Sequence, residues 1–290
     1  MLVLINKILK AKWAYIMLAP FALFFLIFLL VPLVLGVVYS FYDYNLTDIS
    51  FVGFGNFKKI FSNTIFLMSI WTSVKLAIIV IPSVIVIALF VAAIIDRMNK
   101  NVQSFVKVCF YLPVVISPVA LAISWKYIFN PTYGVLTNIS KLFGTTPVNW
   151  FENINNAQIM IAIVLVSIFI GQPIILFSAA MAEIPVELYE SAYTDGAGEA
   201  QKFFMITLPL LRNISLFVLV TTTIYSFNIF VIPFIMTGGG PTYGTTTVLY
   251  IIYNTAFEFG KLGLASAMGV VLFVIISVIA FLEFNFLKTD

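Results

Sequence analysis

Histidine is absent from the 290 residues, cysteine occurs once, and charged side chains make up only 9% of the chain. Each scarcity excludes something. Without imidazole there is no histidine-based acid–base chemistry, and most zinc sites are ruled out. The single cysteine, Cys109, can form no intrachain disulfide and reads as a small buried hydrophobe in an apolar helix. A soluble domain has roughly a quarter of its residues charged. A chain this poor in charge and 62% hydrophobic has no means of covering itself against water, so it belongs in lipid. Net charge is only +3 and the basic residues are scattered, which leaves nucleic-acid binding without an electrostatic footprint. A nucleotide cradle is missing too. Gly260-Lys261 is followed by Leu262, and Gly238–Gly244 contains no lysine, so no G-x-x-x-x-G-K-[ST] loop exists.

What is present is apolar length. Six stretches reach the ~20 residues a bilayer crossing needs: Ala14–Phe41, Phe66–Ile95, Phe105–Phe129, Gln158–Ala182, Leu211–Met236 and Lys261–Leu287. They predict an all-α membrane protein of six transmembrane helices. The first follows Lys7, Lys10 and Lys12, as a signal peptide would, but it is too long and has no clear small-residue cleavage site. It is therefore read as a span. The Lys/Arg bias places both termini in the cytoplasm. Lys7, Lys10, Lys12, Arg97, Lys100, Lys107, Lys202, Arg212 and Lys288 then lie inside, and Lys58, Lys59, Lys141 and Lys261 outside. The outer connections, among them Thr237-Gly238-Gly239-Gly240-Pro241, read as turns, and Gly238–Thr247 is a candidate surface for an external partner. The chain divides into 1–65 (N-terminal segment, first span, outer loop), 66–287 (the transmembrane domain) and a cytoplasmic tail, 288–290.

One cytoplasmic segment, 183–210, does not suit a plain bundle. Five of the 12 acids, Glu183, Glu187, Glu190, Asp195 and Glu199, sit here against Lys202 and, just beyond, Arg212. The pattern predicts helix–turn–helix. Pro185 suits a first helical position, Glu187 and Glu190 lie near the favourable end of the dipole, Gly196 stops the first helix and Pro209 the second. Leu188 with Ala192, and Tyr189 with Tyr193, form neighbouring stripes at i, i+4. A helix this short is unstable alone in water and calls for a partner.

These residues carry a resemblance. Glu190, Ala192, Gly196, Ile206, Leu208 and Pro209 resemble the EAA loop of bacterial ABC-importer permeases, with Ser191 in place of the middle alanine. Ile184-Pro185, Glu187-Leu188-Tyr189-Glu190, Asp195-Gly196-Ala197 and Ile206-Thr207-Leu208-Pro209-Leu210 are similar to the carbohydrate branch. Ser40-Phe41-Tyr42-Asp43-Tyr44, Phe51-Val52-Gly53 with Asn56, and Gly238-Gly239-Gly240-Pro241 before Thr245-Thr246-Thr247 look like the maltose-type first permease subunit. The resemblance implies a type I importer permease fold in the cell membrane. It implies a sister permease making a heterodimer, two copies of an ABC ATPase that hold ATP and Mg, and an extracytoplasmic sugar-binding protein. Pro185, Leu188, Tyr189, Glu190, Ala192, Asp195, Gly196, Ala197, Phe203, Leu208 and Pro209 would then form the ATPase-coupling foot.

A polar solute crossing such a bundle needs hydrogen-bonding groups and ring faces at depth. Ser167, Phe169, Gly171 and Gln172 in the fourth span, with Tyr225, Ser226 and Asn228 in the fifth, are the candidate pathway residues. Gln172 and Asn228 are as suited to helix–helix bonding as to ligand contact. Thr221, Thr222 and Thr223 read as helix-bonded hydroxyls. Alternatives stay open. The solute could be glycerol phosphate or a polyamine rather than a sugar. A proton- or sodium-coupled transporter would need acids at mid-membrane, but none lies there: Lys75 and Lys126 fall toward outer ends of their spans and Glu283 toward an inner end.

Overall fold

The computed structural model describes residues 12–45 and 47–287; Lys7, Lys10, Lys288 and the 288–290 tail lie outside the described residues. Two compact units emerge, one from the chain through Ser62 with Ile252–Val271, the other from Asn63–Ile251 with Leu272 onward.

In the first unit α1 (Lys12–Phe25) passes through a π-helical turn, Leu26–Leu30, into α2 (Val31–Tyr39). From Ile16 to Tyr39 this is one apolar helix with no buried residue, long enough to cross a bilayer. A short hairpin follows and departs from the all-α expectation. β1 (Tyr42–Tyr44) pairs antiparallel with β2 (Ile49–Phe51), Asp43 opposite Ser50. Asn56, buried at the start of α3 (Gly55–Phe61), holds it by donating from Nδ2 to the carbonyls of Ser40 (3.0 Å) and Tyr42 (2.8 Å).

The second unit is built on α4 (Thr64–Asp96), started by Asn63, whose side chain accepts from the N–H groups of Ile65 and Phe66. Its 33 residues run about 50 Å at 1.5 Å each, longer than the ~30 Å hydrocarbon layer. Leu76, Val80, Val84, Ala88 and Ala92 recur every fourth residue and are buried. The large members meet α8 (Ile154–Phe169) in one apolar core. The alanines let α9 (Gly171–Ala182) approach closely in a second.

Among the described residues three helices are long and apolar enough to span a membrane, or up to six when each bent pair is taken as one span. The stretch expected as one span, Phe105–Phe129, is two helices, α5 (Lys100–Val115) and α6 (Pro118–Ile128), set at 102°. Pro118 excludes helical geometry from the residue before it, and Ile116 and Ser117 are extended at ψ 142° and 131°. After α7 (Val135–Leu142), α8 and α9 form the fourth crossing with a 44° bend at Ile170. Pro173 contributes to this bend, since it has no N–H to give the Phe169 carbonyl. Leu211–Met236, expected as continuous, is also broken. α13 (Arg212–Phe227) stops at Asn228, and α14 (Val231–Thr237) starts after Phe230. The chain then closes with α15 (Val248–Tyr253), a π-helical stretch, Asn254–Glu258, and α16 (Leu262–Leu287). Cys109, expected to be buried, is exposed on α5.

Candidate functional site

The segment 183–210 folds as the charge and glycine pattern predicts. Pro185 precedes α10 (Val186–Thr194), and Glu187 falls in its first turn. The helix ends in a Schellman turn. Gly196 adopts φ +79°, its N–H donates to the Tyr193 carbonyl (3.0 Å), and the Ala197 N–H reaches back to Ala192 (2.9 Å). A left-handed residue is needed here, and glycine adopts it without penalty. The Gly198 N–H then donates to Gln201 Oε1 (2.9 Å) and starts α11 (Glu199–Lys202). A π-helical turn, Phe203–Thr207, leads to α12 (Leu208–Leu210). Pro209 cannot donate to the Met205 carbonyl, and the chain turns by 68° at Leu211 into α13.

Polar contacts tie the two arms together. Tyr189 Oη and Thr207 Oγ1 are 2.8 Å apart, 18 residues distant in sequence. Lys202, with its side chain 13% exposed, bonds Glu199 at 2.7 Å and lies 5.3 Å from the Tyr193 ring. Arg97, at the end of α4, bonds the same Glu199 at 2.6 Å, which fastens the foot to the longest helix. The Lys202 hydrogen bond and charge, aided by Arg97, hold the Glu199 carboxyl below its ordinary value of 4.5. By contrast, no side chain among the described residues pairs with Glu187, Glu190 or Asp195. Val186, Leu188, Tyr193, Phe204 and Met205 are exposed beside them. The foot thus shows an acidic and apolar surface that the described residues leave uncovered. Of the predicted residues, Phe203 packs inward toward the core around Ile174 and Phe177, Leu208 is half-buried and Pro209 is exposed. Arg97, Lys202 and Thr207 were missed as members of this site. The charge of the first two was legible, but their partner was not.

The pathway candidates divide. Phe169 and Tyr225 face one another, ring centres 5.9 Å apart, and together wall a cavity of about 330 Å³ and a narrow cleft beside it. Asn228 lines the cavity, and Gln172, Thr221 and Thr222 line the cleft. The Asn228 amide also donates to the Ile224 carbonyl at 2.8 Å, closing its own helix. Three candidates lie elsewhere. Ser226 is fully buried, with an Oγ that meets no partner and lines neither space. Gly171 serves packing: a Cβ there would fall 2.4 Å from the Phe110 carbonyl oxygen. Ser167 donates to Val164 of its own helix at 2.6 Å. The rest of the cavity wall, including Pro118, Leu165, Ile168, Phe230 and Leu249, comes from apolar positions that nothing in the sequence sets apart. Among the described residues no charged side chain lines either space.

The charged residues within spans are each engaged. Lys126 donates to the Ile235 carbonyl (2.9 Å), Lys75 lies 5.6 Å from the Trp71 ring centre, and Glu283 accepts from Thr223 Oγ1 (2.6 Å). Among the described residues no cluster of three or more metal-ligating side chains occurs.

Comparison with known proteins places this geometry. The profile of the family "binding-protein-dependent transport system inner membrane component" matches residues 84–287. The sn-glycerol-3-phosphate transport system permease protein UgpA of Escherichia coli O157:H7 is 31% identical over 98% of this chain and 97% of its own. The probable ABC transporter permease protein YurN of Bacillus subtilis is 30% identical with the same coverage. Among solved structures, a bacterial ABC transporter that imports the acidic polysaccharide alginate superposes with TM-score 0.83 at 25% identity, over 98% of each chain.

Proposed function

Because the chain belongs to the binding-protein-dependent transport system inner membrane components, we propose that it is one of two sister permeases in an ABC importer for a neutral sugar or oligosaccharide. An importer permease is a transport subunit and not an enzyme, so ATP and Mg reside on the two ATPase copies it would recruit. The uncovered surface around Glu190 is the docking face for one of them, and Gly196 is the turn that presents it. Both termini lie in the cytoplasm in this reading, and the Gly238–Thr247 side faces the binding protein.

The observation that carries the substrate reading is the uncharged wall of the cavity. A sugar offers apolar C–H faces to rings such as Tyr225 and Phe169, and hydroxyls to amides such as Asn228 and Gln172. An anion brought into this space would lose its hydration without gaining a cation, a large penalty. Relatives are named for sn-glycerol 3-phosphate and for the acidic polysaccharide alginate, so acidic solutes are the alternative against which this uncharged wall is to be tested. Rocking of the bundle by ATP-driven movement of the foot would expose the cavity to each side in turn.

The test is uptake by proteoliposomes holding the complete importer, with neutral mono- and oligosaccharides offered against sn-glycerol 3-phosphate and an acidic oligosaccharide. ATP-dependent accumulation of a neutral sugar is expected. Uptake of the anionic solutes alone would overturn the substrate reading while leaving the importer assignment intact. Accumulation that follows a proton or sodium gradient without ATP would overturn the importer reading itself.

A further inference from the structure

The glycine- and threonine-rich stretch between α14 and α15 looks like a surface turn in sequence, but it is largely internal. Thr245, Thr246 and Thr247 are at most 1% exposed, and Gly239 and Gly244 are buried with them. The tip, Thr242–Tyr243, stands in the open, as does Gly238 at the start of the stretch, and both tip residues lie in the left-handed region (φ 49° and 59°). The stretch is cross-braced within itself. Thr245 Oγ1 donates to the Gly240 carbonyl (2.7 Å) and contacts Thr237 Oγ1 (2.7 Å), Thr246 Oγ1 donates to Gly239 (3.2 Å), and the Gly244 N–H donates to Pro241 (2.8 Å). Buried backbone that satisfies its own polar groups in this way behaves as a rigid body.

Four further bonds hold that body to the helices, one of them a long one from Thr72 Oγ1 on α4 to the Gly244 carbonyl (3.5 Å). Gln158, 6% exposed near the start of α8, donates from Nε2 to the Gly244 carbonyl at 2.6 Å. Gly244 must be glycine for this approach, since a Cβ would lie 2.6 Å from Ile154. Ser73 on α4 accepts the Val248 N–H at 3.1 Å. Finally, Thr247 Oγ1 donates to the Ile229 carbonyl at 2.5 Å. That carbonyl is the one Pro233 cannot serve, because proline has no N–H for the residue four before it. Ile229 and Phe230 form the break that lines the cavity, and Phe230 stacks on Tyr250 with ring centres 6.0 Å apart.

We propose that Gln158 is a positioning residue for coupling. It clamps Gly238–Thr247 as one lever that joins the exposed tip at Tyr243 to the cavity wall at Ile229–Phe230. Engagement of the tip by the binding protein is thereby felt at the solute site. The inference rests on the importer reading above. Neither Gln158 nor Ser73 lines the cavity, so their contribution is to rigidity and not to solute contact.

The test compares the wild-type importer with Gln158→Leu and Ser73→Ala complexes, each checked for assembly by size-exclusion chromatography. Basal ATPase activity and its stimulation by solute-loaded binding protein are measured separately. Basal activity within twofold of wild type is expected, with stimulation reduced about fivefold or more by Gln158→Leu and less by Ser73→Ala. Stimulation within twofold of wild type in an assembled Gln158→Leu complex overturns the proposal. So does a proportional fall of basal and stimulated rates, which a merely structural role would give. Should Gln158→Leu fail to assemble, Ser73→Ala and Thr247→Val decide, and unchanged stimulation in both overturns it. Failure of the importer reading is distinguishable, because the wild-type complex would then show no stimulation at all.

Discussion

Replacing Gly196 tests the foot through backbone geometry alone. A Cβ at this position meets nothing within 4 Å, so a substitution causes no collision inside the chain, and what it costs is the left-handed φ of +79°. For alanine that cost is roughly 1–2 kcal/mol, smaller for asparagine and larger for a β-branched residue. At 1.4 kcal/mol per tenfold change, Gly196→Ala should lower the apparent affinity of the permease for its ATPase by about fivefold to thirtyfold. Gly196→Asn should cost only a few-fold, and Gly196→Val more than alanine. The assay is co-purification of the ATPase at graded concentrations, alongside ATP-driven uptake and the amount of permease in the membrane. That amount should not change, because the turn is exposed and lies outside both apolar cores. A different ranking would refute the reasoning. Asparagine as damaging as valine would mean that the partner rejects any side chain here, and a harmless valine would mean that the turn has no part in docking.

Three further outcomes follow from the same geometry. Glu190→Ala should abolish coupled transport with insertion intact, since this carboxylate has no side-chain partner among the described residues; uptake at the wild-type rate would remove it from the docking face. Tyr189→Phe and Thr207→Val should each loosen the foot by about 1 kcal/mol, while the double variant costs no more than either alone, as a shared hydrogen bond requires. Limited proteolysis of 183–210 reads both. Arg97→Ala should weaken coupling in the wild-type background but add little once Glu199→Gln is present; a full, additive effect of Arg97→Ala in the Glu199→Gln background would sink the pairing. The pH dependence has a definite sign. The Glu199 carboxyl is held below 4.5, so its contribution is complete at neutral pH and is lost only as acidification passes through that depressed value.

Composition decided the solvent, and pattern decided the foot. Low charge and long apolar runs suffice for a membrane chain, because a bilayer accepts nothing else at that length. The foot was legible because capping, glycine stops and acid placement are local rules, and Gly196, Pro185 and Glu187 obey them within a few residues. Pro118 and Pro173 stand at two of the breaks, yet the apolar run from Phe105 to Phe129 reads as one span and gives no sign of the 102° angle between α5 and α6. Long-range pairing is what local rules do not reach. That Tyr189 meets Thr207, that Arg97 meets Glu199, and that Ser226 turns away from the cavity while Phe169 and Tyr225 share it depend on which faces of distant helices pack together. The Gly238–Thr247 stretch shows the limit most clearly. Its glycines and threonines are what an exposed turn would use, and it is bonds to distant residues, among them Gln158 to the Gly244 carbonyl across 86 residues and Ser73 to the Val248 N–H, that hold it inside.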